Sequence, residues 1–372
     1  MHHWIDDPAR LAAFFATPPR LIGLDTEFVR ERTFWPQLAL VQVALPTEGG
    51  LAVLLVDPLV PGMAAALAPI LGDASITKIM HSASEDLVAL QRACGALPAP
   101  LFDTQVAAAL SGLGAGIGYQ KLVQQVEGTL LAKGETRSDW LRRPLSPAQL
   151  EYAADDVRHL HALHAALDAR LRDLHRDAWL AEDCARMVRN AARDAPERWP
   201  HLPLRAAQFL DADGQHRLLR LLRWRDAYAR DSDRPRTWIL DNELAVALAR
   251  APLPDRDALQ ARLDAHPKAP RKLAAQLWQA VTTALPDEAD APPIRGDDRD
   301  KQALRKLQDA VAALGAEHGL PDGVLASRRW LEPLLDGDPW PDALSGWRRT
   351  LLEPRLAQLL PARMPAPGAD PG

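Results

Sequence analysis

The sequence predicts a mixed α/β domain at the amino-terminal end of the chain, followed by smaller domains that are entirely helical. Short apolar strands alternate with helical segments up to about residue 185, whereas amphipathic helices alone follow from residue 205. With 372 residues and 47% hydrophobic side chains, the chain is long enough for two or three domains with cores of their own.

The predicted elements follow one another along the first 185 residues. Apolar runs bounded by turn residues predict strands at 21–29, 38–45, 51–56, 76–80 and 101–104. The first three have no helix between them and are expected to form a meander. Helical patterns follow at 62–71, 84–94, 105–112 and 146–175. The last begins at Ser146, a capping residue followed by proline, and is predicted as one long helix.

Two proline-bearing segments divide the rest of the chain. NAARDAPERWPHLPL (190–204) and the acidic LPDEADAPPIRGDDRD (285–300) are interpreted as linkers. They separate predicted domains at 1–190, 205–284 and 300–362. The tail after residue 360 is rich in proline and glycine and is expected to be disordered.

Composition excludes several classes of protein. Two cysteines without CxxC spacing do not make a disulfide framework and suit a reducing compartment. The amino terminus lacks the apolar core of a signal peptide, and prolines interrupt the longest apolar region. We therefore expect a soluble, cytoplasmic protein. The net charge of −5 does not by itself indicate a nucleic-acid partner, although such contacts depend on local patches.

Two acidic residues end the first apolar run, LIGLDTEFVRER (21–32). Asp25 and Glu27 are two positions apart on a predicted strand, so their side chains point to the same face. Carboxylates this close repel each other unless a cation lies between them. The pair on its own is also compatible with a solvated strand edge.

Two further acidic positions complete the candidate site. HSASEDL places Asp86 at the start of a helix, and EYAADDV places Tyr152 one turn before Asp156. Each has an ordinary structural explanation by itself. Four carboxylates together can bind two Mg²⁺ or Mn²⁺ ions, which prefer oxygen ligands and act on phosphate esters.

The ordered combination of D-x-E in a strand, a later Asp, and Y-x-x-x-D in a helix closely resembles the DEDD exonucleases, and among them the ribonuclease D family. RTFWPQLALVQVA, LFDTQVAAAL and SDWLRRPLSPAQLEYAADDV agree with that family as well. Residues 213–283, with LRLLRWRDAYARDSDRP and ILDNELAVALA, resemble an HRDC domain. Residues 301–360, with GWRRTLL, resemble a second and more divergent copy.

The resemblance implies a ribonuclease H-like exonuclease domain, a mixed sheet with flanking helices, followed by two small all-α HRDC-like domains. It also implies four metal ligands, Asp25, Glu27, Asp86 and Asp156, for two divalent ions, Mg²⁺ or Mn²⁺. Tyr152 would orient the attacking water. The histidine branch of the superfamily has His five residues before the last Asp, where this chain has Glu151, so the tyrosine branch is expected and Asp155 is not the ligand.

The implied activity is hydrolytic removal of nucleoside 5′-monophosphates from the 3′ end of RNA. The expected substrates have a single-stranded 3′ end, with tRNA precursors as the leading candidates, and a monomer is expected. Arg220, Arg223 and Arg230 lie on one side of a predicted helix and are expected to contact phosphates. A DNA exonuclease and a non-catalytic nucleic-acid-binding module are the alternatives.

Overall fold

The computed structural model describes residues 2–131, 134, 138–292, 294 and 300–361. The chain forms two compact units. The first comprises residues 1–29, 38–193 and 300–372, and the second comprises residues 30–37 and 194–299. The final helical segment thus belongs to the same unit as the sheet. The predicted disorder of the tail concerns residues that, from 362 onward, lie outside the described part.

The first unit is built on a mixed sheet. Within the described residues the strands are β1 (His2–Ile5), β2 (Leu21–Val29), β3 (Gln37–Thr47), β4 (Gly50–Val56), β5 (Thr77–Met80) and β6 (Leu101–Asp103). Their order is β1-β4-β3-β2-β5-β6. Strand β3 is antiparallel to β4, whereas β1 is parallel to β4 and β5 is parallel to both β2 and β6. The predicted meander and mixed sheet are confirmed, and β1 is a strand that the sequence patterns did not indicate.

Helices surround the sheet and bury their apolar sides on it. They are α1 (Pro8–Phe14), α2 (Met63–Gly72), α3 (Ser84–Cys94), α4 (Thr104–Leu110), α5 (Tyr119–Glu127), α6 (Pro147–Arg158), α7 (Leu160–Asp173) and α8 (Asp177–Arg193). Strand β3 is buried from Leu38 to Leu45, which explains its almost continuous apolar sequence. The same hydrophobic core extends to the last helical segment of the chain.

The prediction of one helix over 146–175 was wrong, because the chain turns at His159 between α6 and α7. In a continuous helix the His159 N–H would donate to the carbonyl of Asp155. Here the hydroxyl of Tyr119 accepts from the His159 N–H at 3.4 Å and donates to the Asp155 carbonyl at 2.9 Å. A side chain that enters the backbone hydrogen-bond ladder in this way interrupts the helix.

The last helical segment comprises α14 to α16, and the second unit contains α9 to α13. Their bounds are α9 (Ala212–Ser232), α10 (Arg236–Ile239), α11 (Asn242–Ala249), α12 (Arg256–Asp264), α13 (Ala274–Thr282), α14 (Lys301–Glu317), α15 (Arg328–Leu335) and α16 (Trp347–Leu356).

The rings of Trp179 on α8 and Trp347 on α16 stack at 4.4 Å, and the Trp347 indole N–H donates to buried Asp183 at 3.1 Å. No helix in the described residues is long and apolar enough to cross a membrane.

Candidate active site

Strand β2 presents the first two candidate carboxylates near the middle of the sheet. Asp25 and Glu27 are both partly buried, and Thr26 between them is buried. A strand at this position has neighbours on both sides, β3 and β5, which removes water from its side chains. Burial alone is therefore the largest cause that raises the pKa of each carboxyl group.

Asp86 lies in the first turn of α3, directly after β5, the strand beside β2. The Thr26 hydroxyl donates to Asp86 Oδ1 at 2.5 Å and fixes that carboxylate. Burial raises the pKa of Asp86 to about 7, although the Thr26 hydrogen bond lowers it. The sequence patterns did not single out Thr26; its place between two acidic residues was the available signal.

Helix α6 supplies the remaining two candidates. It begins with a complete capping box, in which Ser146 and Gln149 each bond the other's backbone N–H. Burial raises the pKa of Asp156 to about 7, although the Tyr152 hydroxyl, one turn earlier on this helix, lowers it. Burial also raises the pKa of the Tyr152 phenol, followed by the negative charges of Asp156, Glu27 and Asp25.

Two of the four candidate carboxyl groups, Asp25 and Glu27, respond to the charges of the other candidates. After burial, the charges of Asp86, Asp156 and Glu27 raise the pKa of Asp25 well above its usual value. Burial and then the charges of Asp156 and Asp86 raise the pKa of Glu27 to about 8. The charged groups that produce these shifts are all carboxylates. The fold has therefore gathered negative charge from β2, α3 and α6 into one region of low solvation.

The neighbouring Asp155 has a different environment. Its carboxylate forms an ion pair with Arg158, and its backbone carbonyl accepts the Tyr119 hydroxyl. Arg158 also pairs with Glu151 at 2.9 Å. Asp155 therefore belongs to an ion-pair group with Arg158 and Glu151, whereas Asp156 lies near Tyr152 and acts electrostatically on Asp25.

The donor set fits hard divalent cations. All eight carboxylate oxygens of the four residues are ligand types that Mg²⁺ and Mn²⁺ prefer, and a cation would relieve the mutual repulsion that raises their pKa. Within the described residues, no three His, Cys, Asp or Glu side chains converge closely enough to surround one ion as they stand. As they stand, these side chains therefore do not form a complete binding site for one ion.

Two polar residues near the site have mainly structural contacts. Buried Asp103 caps α4 by accepting from the backbone N–H groups of Gln105 and Val106, and it also accepts from that of Ala83. His81 Nδ1 lies 2.9 Å from the Thr104 hydroxyl, and burial lowers the His81 pKa. These contacts explain Asp103 as a structural residue, whereas His81 Nε2 is buried without a hydrogen-bond partner among the described residues.

The arginines expected to contact phosphates are paired within the second unit. Arg220 forms an ion pair with Glu288, Arg223 with Asp287 at 2.7 Å, and Arg230 with Asp194 at 2.6 Å. The Arg223 and Arg198 side chains lower the pKa of Asp287 to about 2. Acidic residues distant in sequence thus pair with all three arginines, and their contact with RNA phosphates stays a prediction.

Comparison with known proteins supplies independent information on this architecture. Residues 2–172 match a family model described as 3′-5′ exonuclease. The chain is 59% identical to ribonuclease D of Xanthomonas oryzae pv. oryzae, over 97% of this chain and 99% of that protein. It is 38% identical to ribonuclease D of Pseudomonas paraeruginosa, over 96% and 97% of the two chains.

Among solved structures, Escherichia coli RNase D, an exoribonuclease involved in structured RNA processing, superposes with a TM-score of 0.83 at 30% identity. The superposition covers 96% of this chain and 98% of that chain. The similarity confirms the fold class expected from the sequence: an exonuclease domain with a mixed sheet and flanking helices, followed by helical segments of the HRDC type.

Proposed function

Because the chain belongs to the ribonuclease D family of 3′→5′ exoribonucleases, we propose that its active site is formed by Asp25, Glu27, Asp86, Tyr152 and Asp156. The single observation that supports this assignment best is that β2, α3 and α6 bring these carboxylates together at low solvation, where after burial the charges of the other candidates raise the pKa values of Asp25 and Glu27. Folding does not concentrate acidic side chains at low solvation without a compensating function, and strongly shifted pKa values are typical of active sites.

Exonucleases of this fold typically depend on divalent metal ions. For this chain we assign two Mg²⁺ or Mn²⁺ ions to Asp25, Glu27, Asp86 and Asp156. When bound, two such ions activate the attacking water and stabilise the leaving oxygen of a phosphodiester. The chain itself supplies the oxygen donors, and the hydrogen bond from the Thr26 hydroxyl to Asp86 Oδ1 orients that carboxylate.

Tyr152 is the residue to which we assign orientation of the attacking water. Its hydroxyl lowers the pKa of Asp156, and after burial the charges of Asp156, Glu27 and Asp25 raise its own pKa, so it lies near the proposed ligands. Its raised pKa keeps the phenol protonated at neutral pH, which suits hydrogen bonding and does not suit a general base. The water oxygen adds to the terminal phosphorus as the bond to the 3′ oxygen breaks. A nucleoside 5′-monophosphate and a shortened RNA with a 3′-hydroxyl leave.

The substrate class is RNA, as in the family. The following details of the substrate, the oligomeric state and the location are proposals. We assign RNAs with a single-stranded 3′ end, in particular tRNA precursors, and a monomeric protein in the cytoplasm. The E. coli relative is described as acting in structured RNA processing, which supports a structured substrate with an accessible end. Both cysteines are free, which suits the reducing cytoplasm. The non-catalytic module is the weakest alternative, because all four carboxylates are present.

We also propose that segment 205–284 forms an HRDC domain that holds RNA and that 300–362 forms a second, divergent copy. The candidate contact surface in the second unit surrounds Trp238 on α10. This indole is 60% exposed, whereas the adjacent Ile239 is buried and anchors the helix. Arg234, four residues before Trp238, and Lys272, next to Leu273 of the same small hydrophobic cluster as Ile239, are also exposed. An exposed aromatic ring with nearby cations can stack on a base and bind phosphate.

One degradation experiment tests the proposed activity. RNA and DNA oligomers of the same sequence, labelled at the 5′ end and carrying a 3′-hydroxyl or a 3′-phosphate, are incubated with Mg²⁺ or Mn²⁺. We expect RNA with a 3′-hydroxyl to give a ladder that shortens one nucleotide at a time, with 5′-monophosphates as products. Equal degradation of DNA would support the DNA exonuclease, and the absence of a ladder with either metal would contradict the proposed chemistry.

A further inference from the structure

The break between α6 and α7 lies three residues after Asp156, and Tyr119 causes it. Tyr119 is the first residue of α5. Its hydroxyl donates to the Asp155 carbonyl at 2.9 Å and accepts from the His159 N–H at 3.4 Å. The two backbone groups are the pair that would bond directly to each other in a continuous α-helix. Tyr119 therefore occupies the position of one backbone hydrogen bond at the end of α6.

This insertion determines the direction of the last turn of α6. Both backbone groups retain a partner through the hydroxyl, so the interruption does not leave a buried polar group unsatisfied. If the hydroxyl were absent, the Asp155 carbonyl and the His159 N–H could approach and close the helical bond. The end of α6 would then shift, because His159, which now forms the turn between α6 and α7, would join a continuous helix.

Tyr119 also lies close to the proposed ligands. The negative charges of Asp156 and Asp25 contribute to the raised pKa of the Tyr119 phenol, after the larger effect of burial. On its other side the Tyr119 ring meets the His81 ring edge-on at 5.6 Å, which holds the phenol in place. The residue is therefore fixed between β5 and α6 and is not a mobile surface side chain.

We propose that Tyr119 is a positioning residue that holds Asp156 in its ligating orientation. Its hydroxyl does so by preventing the direct hydrogen bond between the Asp155 carbonyl and the His159 N–H. The proposal rests on the assignment of Asp156 as a metal ligand. Tyr119 does not touch the reacting phosphate in this proposal and acts only through the backbone of Asp155. The described active-site residues thus include two tyrosines with different functions: Tyr152 orients water, and Tyr119 orients a carboxylate.

The chain provides a matched experiment, because its three tyrosines can each be changed to phenylalanine in the full-length protein. For Tyr119→Phe we expect kcat on a short single-stranded RNA to fall about tenfold, with KM unchanged within twofold. Mn²⁺ affinity, measured by calorimetry without RNA, should weaken several-fold. Hydrogen exchange at the His159 amide should slow as the helical bond closes, which a general loss of stability would not produce.

The other two substitutions are the controls. Tyr152→Phe should lower kcat further and leave Mn²⁺ affinity within about twofold of the unchanged protein. Tyr228→Phe, in the second unit, should leave kcat on the short substrate, Mn²⁺ affinity and His159 exchange unchanged. Unchanged kcat and Mn²⁺ affinity in Tyr119→Phe would overturn the positioning role, and so would faster exchange at His159.

One further variant separates this proposal from the assignment of the active site. Asp156→Asn should abolish most Mn²⁺ binding and turnover if Asp156 is a ligand. If Asp156→Asn loses Mn²⁺ binding and turnover while both remain unchanged in Tyr119→Phe, only the positioning role is refuted. Full activity and full Mn²⁺ binding in Asp156→Asn refute the proposed site itself, and the positioning role with it.

Discussion

The Thr26 hydroxyl donates to Asp86 Oδ1 at 2.5 Å and links the central strand β2 to the first turn of α3. The residue that makes this bond lies between Asp25 and Glu27 in sequence. One short strand segment thus contributes two carboxylates to the proposed site and fixes the orientation of a third. Hydrogen bonds to charged groups are among the stronger ones in proteins, so this contact should matter for turnover.

Thr26→Val removes this donor with little change in side-chain shape. A hydrogen bond to a charged group contributes about 1.5–3 kcal/mol, so we expect kcat to fall at least about tenfold. Steady-state kinetics on short RNA at saturating Mg²⁺ measure the effect. Thr26→Ser keeps the hydroxyl and should retain most of the activity. Wild-type kcat in Thr26→Val would mean that Asp86 does not need this bond.

Tyr152→Phe tests the water-orienting hydroxyl. We expect kcat to fall by roughly 10²–10⁴, the range for a positioned group that handles a proton in the transition state. KM should hardly change, because the hydroxyl acts mainly after the substrate has bound. Single-turnover measurements separate this step from product release. A kcat near that of the unchanged protein would remove Tyr152 from the mechanism.

Asp155→Asn and Asp156→Asn distinguish the two adjacent aspartates. Asp156→Asn removes a proposed metal ligand, and since metal stabilisation of transition-state charge amounts to several kcal/mol, turnover should fall by at least about 10². Asp155→Asn only weakens an ion pair with Arg158 and should keep kcat within about threefold. The opposite pattern would assign the ligand to Asp155.

Removal of metal should make folding stability depend on pH. The pKa values of Glu27, Asp86 and Asp156 are about 8, 7 and 7 in the folded protein, above their usual values near 4. A raised carboxyl pKa means that the folded state binds more protons than the unfolded state. Its contribution to stability is therefore complete below about pH 4 and is lost as the pH rises through 7 to 8.

Thermal unfolding with a chelator measures this effect. The melting temperature of the metal-free protein should fall between pH 5.5 and 8, and Mn²⁺ should raise it more at pH 8 than at pH 5.5. Burial lowers the pKa of His201 to about 4. This group therefore makes folding stability rise with pH at low pH, opposite to the effect of the carboxyl groups. Comparison with Asp156→Asn isolates the carboxylates, because this variant should show a smaller decrease. Identical pH profiles for both proteins would contradict the prediction.

Trp238→Ala should weaken RNA binding without altering the chemistry. Loss of one base-stacking contact of about 1–3 kcal/mol raises Kd for structured RNA roughly tenfold. Filter binding measures this change in Kd in proteins that also carry Asp25→Asn, so that the RNA is not degraded. Trp238→Phe, which keeps a ring, should recover much of the affinity. Equal affinity for Trp238→Ala and the parent protein would exclude this surface as an RNA contact.

This measurement requires the full-length chain. A protein that ends after α8 would lack α14 to α16, whose Trp347 stacks on Trp179 and bonds to buried Asp183. Truncation would expose this apolar surface and leave the Asp183 carboxylate without two of its partners, Trp347 and Arg348. Loss of RNA affinity in a truncated protein would therefore not separate binding from stability.

The amino-acid sequence by itself predicted the sheet strands from Leu21 onward and named the five candidate residues of the active site. Strand prediction succeeded because its signal is local: apolar runs reveal strands. D-x-E or Y-x-x-x-D spacing places side chains on one face of a strand or helix. The family resemblance selected Asp156 over Asp155, and that choice stays a prediction. The structure brings the five candidates into one region, and their roles remain predictions for the experiments above.

Only the tertiary structure decided the features that depend on residues far apart in sequence. Helical periodicity continues through His159, but a hydroxyl from Tyr119, 40 positions earlier, interrupts the backbone there. The arginines of α9 form a basic stripe by spacing, but acidic partners as many as 68 positions away neutralise Arg220 and its neighbours. Local patterns record which face of an element is buried. They contain no information on which distant polar group satisfies a donor, because that depends on the packing of the completed fold.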